Sequence, residues 1–233
     1  METDTPAATS SSPASSSLYR GLTWVVAVLV PVVLVLTAVR LLMLPAFLYF
    51  EYNTPNFPAD FYGFTKQDRL YWSRFALDYL TNPQGISFLG DLRFADGAPV
   101  YNQRELKHMV DVKSALGAAL TVWRLSLVAL VVLGLWAWRG GWLGSYRLGL
   151  SRGGFLTTAL LGAAIVLVLL SFGVFFVAFH NVFFESGTWV FEYSDTLIRL
   201  FPERFWRDIF IYVGILAGGA GLALGYGLRP KKY

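Results

Sequence analysis

FLTTALLGAAIVLVLLSFGVFFVAFH, residues Phe155–His180, decides the fold class, because no charged side chain occurs in it before the terminal imidazole. A helix needs about 20 apolar residues to cross a hydrocarbon core about 30 Å thick, and this run exceeds that. It gives a span over about 155–179, and three further stretches have the same character: about 21–44, 118–138 and 209–228. The chain has 233 residues, is 55% hydrophobic and only 15% charged, whereas soluble domains keep about a quarter of their residues charged. The expected fold is therefore a membrane α-helical protein with four transmembrane helices. The glycine-rich "GILAGGAGLALGYG" of the last span suits close helix–helix approach.

Residues 1–17, rich in Thr, Ser, Ala and Pro, cannot bury enough surface to fold and read as a disordered cytoplasmic tail. Residues 18–233 then form a single integral membrane domain. The tail before the first span is not basic and the apolar stretch is too long for a signal-peptide core, so an uncleaved helix is expected.

Charge placement sets the orientation. The 139–154 connector holds Arg139, Arg147 and Arg152 without an acid, and the C-terminal end holds Arg229, Lys231 and Lys232. Apart from Glu2 and Asp4, every acidic residue falls in 45–117 or 180–208. The positive-inside rule then puts both termini and the connector in the cytoplasm, and segments 45–117 and 180–208 outside.

Those outer segments are patterned as a small α+β module. Thr65 with Asp68 reads as a helix start, followed by Trp72, Phe75, Ala76 and Tyr79 on one face, and Pro83 and Gly85 as a stop. "ISFLGDLRFADGAPVY" reads as strand with Asp96-Gly97 as its hairpin turn. Asn102 with Glu105 opens a helix that runs into the second span. "GTWVFEYSD" reads as a short strand, and Trp189, Tyr193 and Trp206 suit an interfacial aromatic belt.

There are two histidines and no cysteine, which excludes disulfides, thiolate metal sites and cysteine nucleophiles. His108 sits on the helix entering the second span and His180 where the third span ends, so both flank the same membrane surface. Imidazole is suited to proton transfer near neutral pH. Acids adjacent in sequence are Glu105 and Asp111 for His108, and Glu185, Glu192 and Asp195 for His180. Glu105-x-x-His108 matches half of a di-iron motif but has no second copy, so no metal and no cofactor are called for. No basic stripe with interleaved aromatics points to nucleic acid. Arg124 is the one charge well inside a span, suited to a water-filled cavity or a lipid phosphate; Arg40 suits snorkelling to the outer surface. Nothing fixes an oligomeric state.

Several motifs in the outer segments, "DFYGFTKQDR", "FLGDLRF", "YNQRELKHMVDVK", "AFHNVFF" and "YSDTLIRLFPERFW", resemble those of the bacterial lipoprotein intramolecular transacylases, known as Lit. The resemblance covers roughly residues 20 to 228. It implies a multi-pass protein of the bacterial cytoplasmic membrane acting among membrane lipids. The implied substrate is a diacylated lipoprotein, whose sn-2 acyl chain moves to the α-amino group of the N-terminal cysteine to leave a lyso form. It implies catalytic roles for His108 and His180. Asp91, Arg93, Glu105 and Asp195 fall in matching motifs as supporting positions.

In that reading a histidine takes the amine proton, its partner protonates the departing glyceryl oxygen, and Arg93 or a backbone N–H steadies the oxyanion. His180 is assigned as base and His108 as acid or orienting partner, an assignment that the sequence allows to be exchanged. Two other functions fit the residues: hydrolysis of a lipid ester by the same pair, with Ser194 as a candidate for an acyl-enzyme, and a non-enzymatic scaffold.

Overall fold

The computed structural model describes residues 13–185 and 187–230. Nine helices follow in order among them: α1 Pro13–Leu42, α2 Pro45–Tyr52, α3 Lys66–Thr81, α4 Ser87–Gly90, α5 Gln103–Arg139, α6 Leu143–Leu170, α7 Phe172–Phe183, α8 Thr196–Leu200 and α9 Glu203–Gly227. Four of them, α1, α5, α6 and α9, are long and apolar enough to cross a membrane. The expected tail over 1–17 lies outside the described residues up to residue 12, and 13–17 form the start of α1.

The spans pack around small residues. The most intimate crossing is between α6 and α9: a Cβ on Gly221 would stand 2.6 Å from the Gly154 carbonyl oxygen, and a Cβ on Gly154 would meet Gly225 N at 2.8 Å. Only hydrogen at both positions lets the two backbones touch. Ser151 Oγ and Thr158 Oγ1 donate across this crossing to the carbonyls of Gly225 and Gly218, at 2.7 and 2.9 Å. Helix α5 stands farther out, tied to α1 where Trp123 Nε1 donates to Thr37 Oγ1 at 3.0 Å. Arg124 lies on its exposed face, and Arg40 is likewise exposed on α1.

One end of the bundle gathers the start of α1, the α5–α6 turn and the end of α9. Thr23 Oγ1 donates to Ser145 O at 3.2 Å, and Tyr19 stacks on Trp142 with ring centroids 5.6 Å apart. The opposite end carries α2, α3, α4, the first turns of α5, α7 and α8. Two apolar cores hold this module together: Tyr79, Leu89, Tyr101 and Leu200 in one, Phe47, Leu48, Tyr52 and Phe205 in the other. The expected caps form, since both Thr65/Asp68 and Asn102/Glu105 close capping boxes.

Two expectations are corrected. The module is not α+β: no strand occurs among the described residues. Asp96-Gly97 does make the expected turn, with Gly97 at φ +85° and Phe94 N donating to Ala98 O at 2.8 Å. Its arms, however, contribute only an isolated antiparallel bridge, Arg93 to Pro99. Ser87–Gly90 winds into a helical turn that seats Leu89, fully buried, in the core. The segment 187–195 is a series of turns, because every neighbouring element is helical and offers no ladder for a strand to join. The third span also ends earlier than expected. Helix α6 stops at Leu170, and Ser171 turns extended (φ −159°, ψ 89°) before α7 begins.

Candidate active site

The break at Ser171 lets α7 lean on α9, with the Phe175 and Phe179 rings 4.8 and 5.2 Å from that of Phe210. This placement turns His180, near the end of α7, toward α5. The first fifteen residues of α5 carry Arg104, Glu105, Lys107, Asp111 and Lys113 and precede its apolar stretch. His108 lies in this outer part. The two imidazoles converge: their centroids are 6.3 Å apart and their planes differ by 22°.

Aromatic rings enclose the pair. Phe184 and Phe191 stand 5.0 and 5.3 Å from His108. Phe176 and Trp189 stand 4.0 and 4.7 Å from His180. His180 Nδ1 lies 2.8 Å from the Phe176 carbonyl oxygen. A carbonyl can only accept, so Nδ1 carries the proton and the neutral ring presents its lone pair at Nε2. His108 Nδ1 is buried without a partner among the described residues. Burial, and then the field of His180, push the His108 pKa down to about 4, with Asp111 opposing. Burial also lowers that of His180, against the Phe176 carbonyl. Both rings are therefore neutral at pH 7, the form a proton acceptor needs.

No carboxylate hydrogen-bonds to either ring among the described residues, so the acids expected nearby have other work. Glu105, almost fully buried, accepts from Asn102 N at 2.8 Å and from Leu197 N at 2.6 Å. Burial pushes its carboxyl up to about 7 while these N–H donors pull it down. Asp195 accepts from Asn102 Nδ2 and Glu192 N, both at 2.9 Å. Together they pin α8 and the 187–195 turns to the start of α5. Asp91 is exposed at the end of α4. Arg93, also exposed, donates to the carbonyls of Gly90 and Leu92 at 2.6 and 2.8 Å. The structure thus brings together His108 and His180, ties Glu105 and Asp195 behind them, and leaves Asp91 and Arg93 bonded or exposed locally. The residues missed by the sequence reading are the enclosing aromatics, above all Trp189; the density of Phe and Trp on both sides of His180 was their one signal.

The family description "Lipoprotein intramolecular transacylase Lit" matches residues 24–206. The chain belongs to the Lit family. An uncharacterized protein of Aquifex aeolicus (strain VF5) is 34% identical to this Lit chain over 189 residues, 80% of this chain and 84% of its own. The solved membrane-integral Lit of Bacillus cereus superposes with a TM-score of 0.74 at 24% identity, covering 91% of this chain and 94% of that one. A variant of that protein with one histidine replaced by arginine superposes with a TM-score of 0.68 at 23% identity, covering 92% of each chain. At such identity the superposition speaks for the fold. Membership makes this a lipoprotein intramolecular transacylase, an integral membrane enzyme that transfers an acyl group.

Proposed function

We propose that His108 and His180 catalyse transfer of the sn-2 acyl chain of a diacylglyceryl-modified lipoprotein to the free α-amino group of its N-terminal cysteine. The observation that carries this reading is the convergence, 6.3 Å apart, of the only two histidines in the chain.

An α-amine, with a pKa near 8, attacks only when neutral. Its nitrogen adds to the ester carbon, the carbonyl electron pair moves to oxygen, and His180 Nε2 takes the amine proton. Collapse breaks the carbon–oxygen bond to glycerol, and the departing oxygen receives that proton from His180 directly or by way of His108. The N–H proton ends as the glyceryl O–H, and both imidazoles return to neutrality. General acid–base help of this kind is worth about 10²–10⁴-fold. Both reacting groups belong to one substrate, so holding them near each other contributes about 7–11 kcal/mol more. The chain need supply no nucleophile.

Residues 18–233 act as one integral membrane domain of the bacterial cytoplasmic membrane. The bundle end holding Arg139, Arg147 and the end of α9 faces the cytoplasm, and the histidine end opens to the outer surface. The charge asymmetry of the segments supports this orientation, and lipoprotein ester groups lie at that same boundary.

Expression in a strain whose lipoproteins are diacylated, with mass spectrometry of their N-terminal peptides, tests the reading. The expected product is an N-acyl, S-monoacylglyceryl cysteine, lost in both His108→Ala and His180→Ala. A lyso product that persists in both variants overturns the histidine mechanism; release of free fatty acid without N-acylation would instead identify a hydrolase.

A further inference from the structure

Acyl transfer needs a second element besides proton transfer, a donor for the oxygen that becomes negative in the tetrahedral intermediate. Arginines near the site are engaged elsewhere. Arg93 is tied to its own carbonyls. Arg104 contacts the Val190 carbonyl at 3.4 Å and stands 3.9 Å from the Asp195 carboxylate.

The indole of Trp189 is differently placed. Its ring lies 4.7 Å from that of His180, its Nε1 is buried, and among the described residues no acceptor meets that N–H. A buried donor without a partner costs about 1–3 kcal/mol, and in a native fold such a group calls for an explanation. Trp142 Nε1 is orphaned as well, but it sits in the turn at the opposite end of the bundle. Among the described residues, only Trp189 combines an orphaned N–H with contact against the proposed base. The turns around it are held: Thr188 N and Oγ1 donate to Glu185 O at 3.2 and 2.8 Å, and the Val190 carbonyl accepts from Arg104.

We propose that the Trp189 indole N–H is the oxyanion donor, receiving the ester carbonyl oxygen of the substrate. This rests on the histidine mechanism proposed above. Indole nitrogen donates and does not accept, so it selects the carbonyl oxygen over the amine. The carbonyl oxygen then points to Trp189, and the amine is left facing His180 Nε2. Being neutral, the donor also places no positive charge beside the two histidines, whereas an arginine there would weaken the base further. No proton leaves the indole; it only strengthens a hydrogen bond as charge develops on oxygen.

The test replaces the N–H while keeping the shape. Trp189→Phe preserves an aromatic ring, and 3-benzothienylalanine introduced at position 189 by codon suppression replaces N–H by sulfur in an isosteric ring. Both are assayed in detergent or vesicles on a synthetic diacylated lipopeptide, beside His108→Ala and His180→Ala. The expected result is a fall in kcat of about 10²–10³-fold in both position-189 variants, as for loss of one oxyanion donor, with KM little changed. Activity within a few-fold of the parent in the benzothienyl protein overturns the assignment, whatever the fate of the Phe variant. If the position-189 variants stay active while the histidine variants are inactive, only the indole assignment fails. If the histidine variants remain active, the underlying mechanism fails instead.

Discussion

Glu105 accepts the backbone N–H of Leu197 at 2.6 Å while its other oxygen accepts from Asn102 N at 2.8 Å. One carboxylate thereby caps the helix that carries His108 and fastens α8 to it. This makes Glu105 a positioning group one turn from the histidine rather than a partner of its ring.

Glu105→Gln tests that distinction. An amide keeps one acceptor and turns an NH₂ toward a backbone donor, leaving a buried N–H unpaired at a cost of about 1–3 kcal/mol. Thermal unfolding in detergent should show a lower midpoint, with the turnover of the folded fraction largely kept. An unchanged midpoint with abolished turnover would place Glu105 in the chemistry itself.

The pH–rate profile follows from the two buried rings. His108, held down to about 4, and His180, also lowered, both protonate below the value near 6.5 of a free histidine. The acid limb of kcat/KM should therefore be set by the substrate amine, with its midpoint near 8. A second drop should appear only below 6.5. Histidines titrating at 6.5 in the free enzyme would contradict this burial argument.

Stability has a related sign. The unfolded histidines take up protons more readily than the folded ones, so their contribution is complete above about 6.5. It is lost as pH falls from there toward 4, the folded value for His108. His108→Phe, which removes the titrating group, should flatten the dependence of unfolding midpoint on pH across this interval.

Glycine substitutions separate close packing from helix propensity. At Gly154 an added Cβ meets the backbone of Gly225 and Gly221, which cannot rotate aside, so Gly154→Ala should cost about 1–3 kcal/mol by overpacking. Gly162, on the same helix, has nothing within 4 Å of an added Cβ. Gly162→Ala should be neutral or stabilising by up to about 1 kcal/mol. Equal unfolding midpoints for the two variants would dismiss the Gly154–Gly221 crossing as a determinant of the bundle.

Direct transfer predicts that no outer serine is required. Ser194 is exposed in the turn before α8, and Ser194→Ala should retain lyso-lipoprotein formation within a few-fold by mass spectrometry. Its inactivation, or a trapped acyl-serine, would favour a two-step route.

The sequence alone determined the four apolar helices, because hydrocarbon thickness leaves so few alternatives for runs such as Phe155–Leu170. It also determined the Thr65 and Asn102 caps, which are local hydrogen bonds between residues three apart. The candidate histidines were legible for a simpler reason, being the only two present. Tertiary structure decided the rest. Ser171 interrupts a helix that no proline or charge marks for breaking, because α7 finds its packing on Phe210 of α9. The 86–94 and 187–195 stretches have strand-like composition yet fold as turns, since strands need a partner ladder and these have helices for neighbours. Trp189 reads equally well as a membrane-interface residue; only the return of its loop over α7 sets its ring 4.7 Å from that of His180. Periodicity and capping act between near neighbours in the chain, whereas the meeting of His108, His180 and Trp189 depends on how separate helices pack.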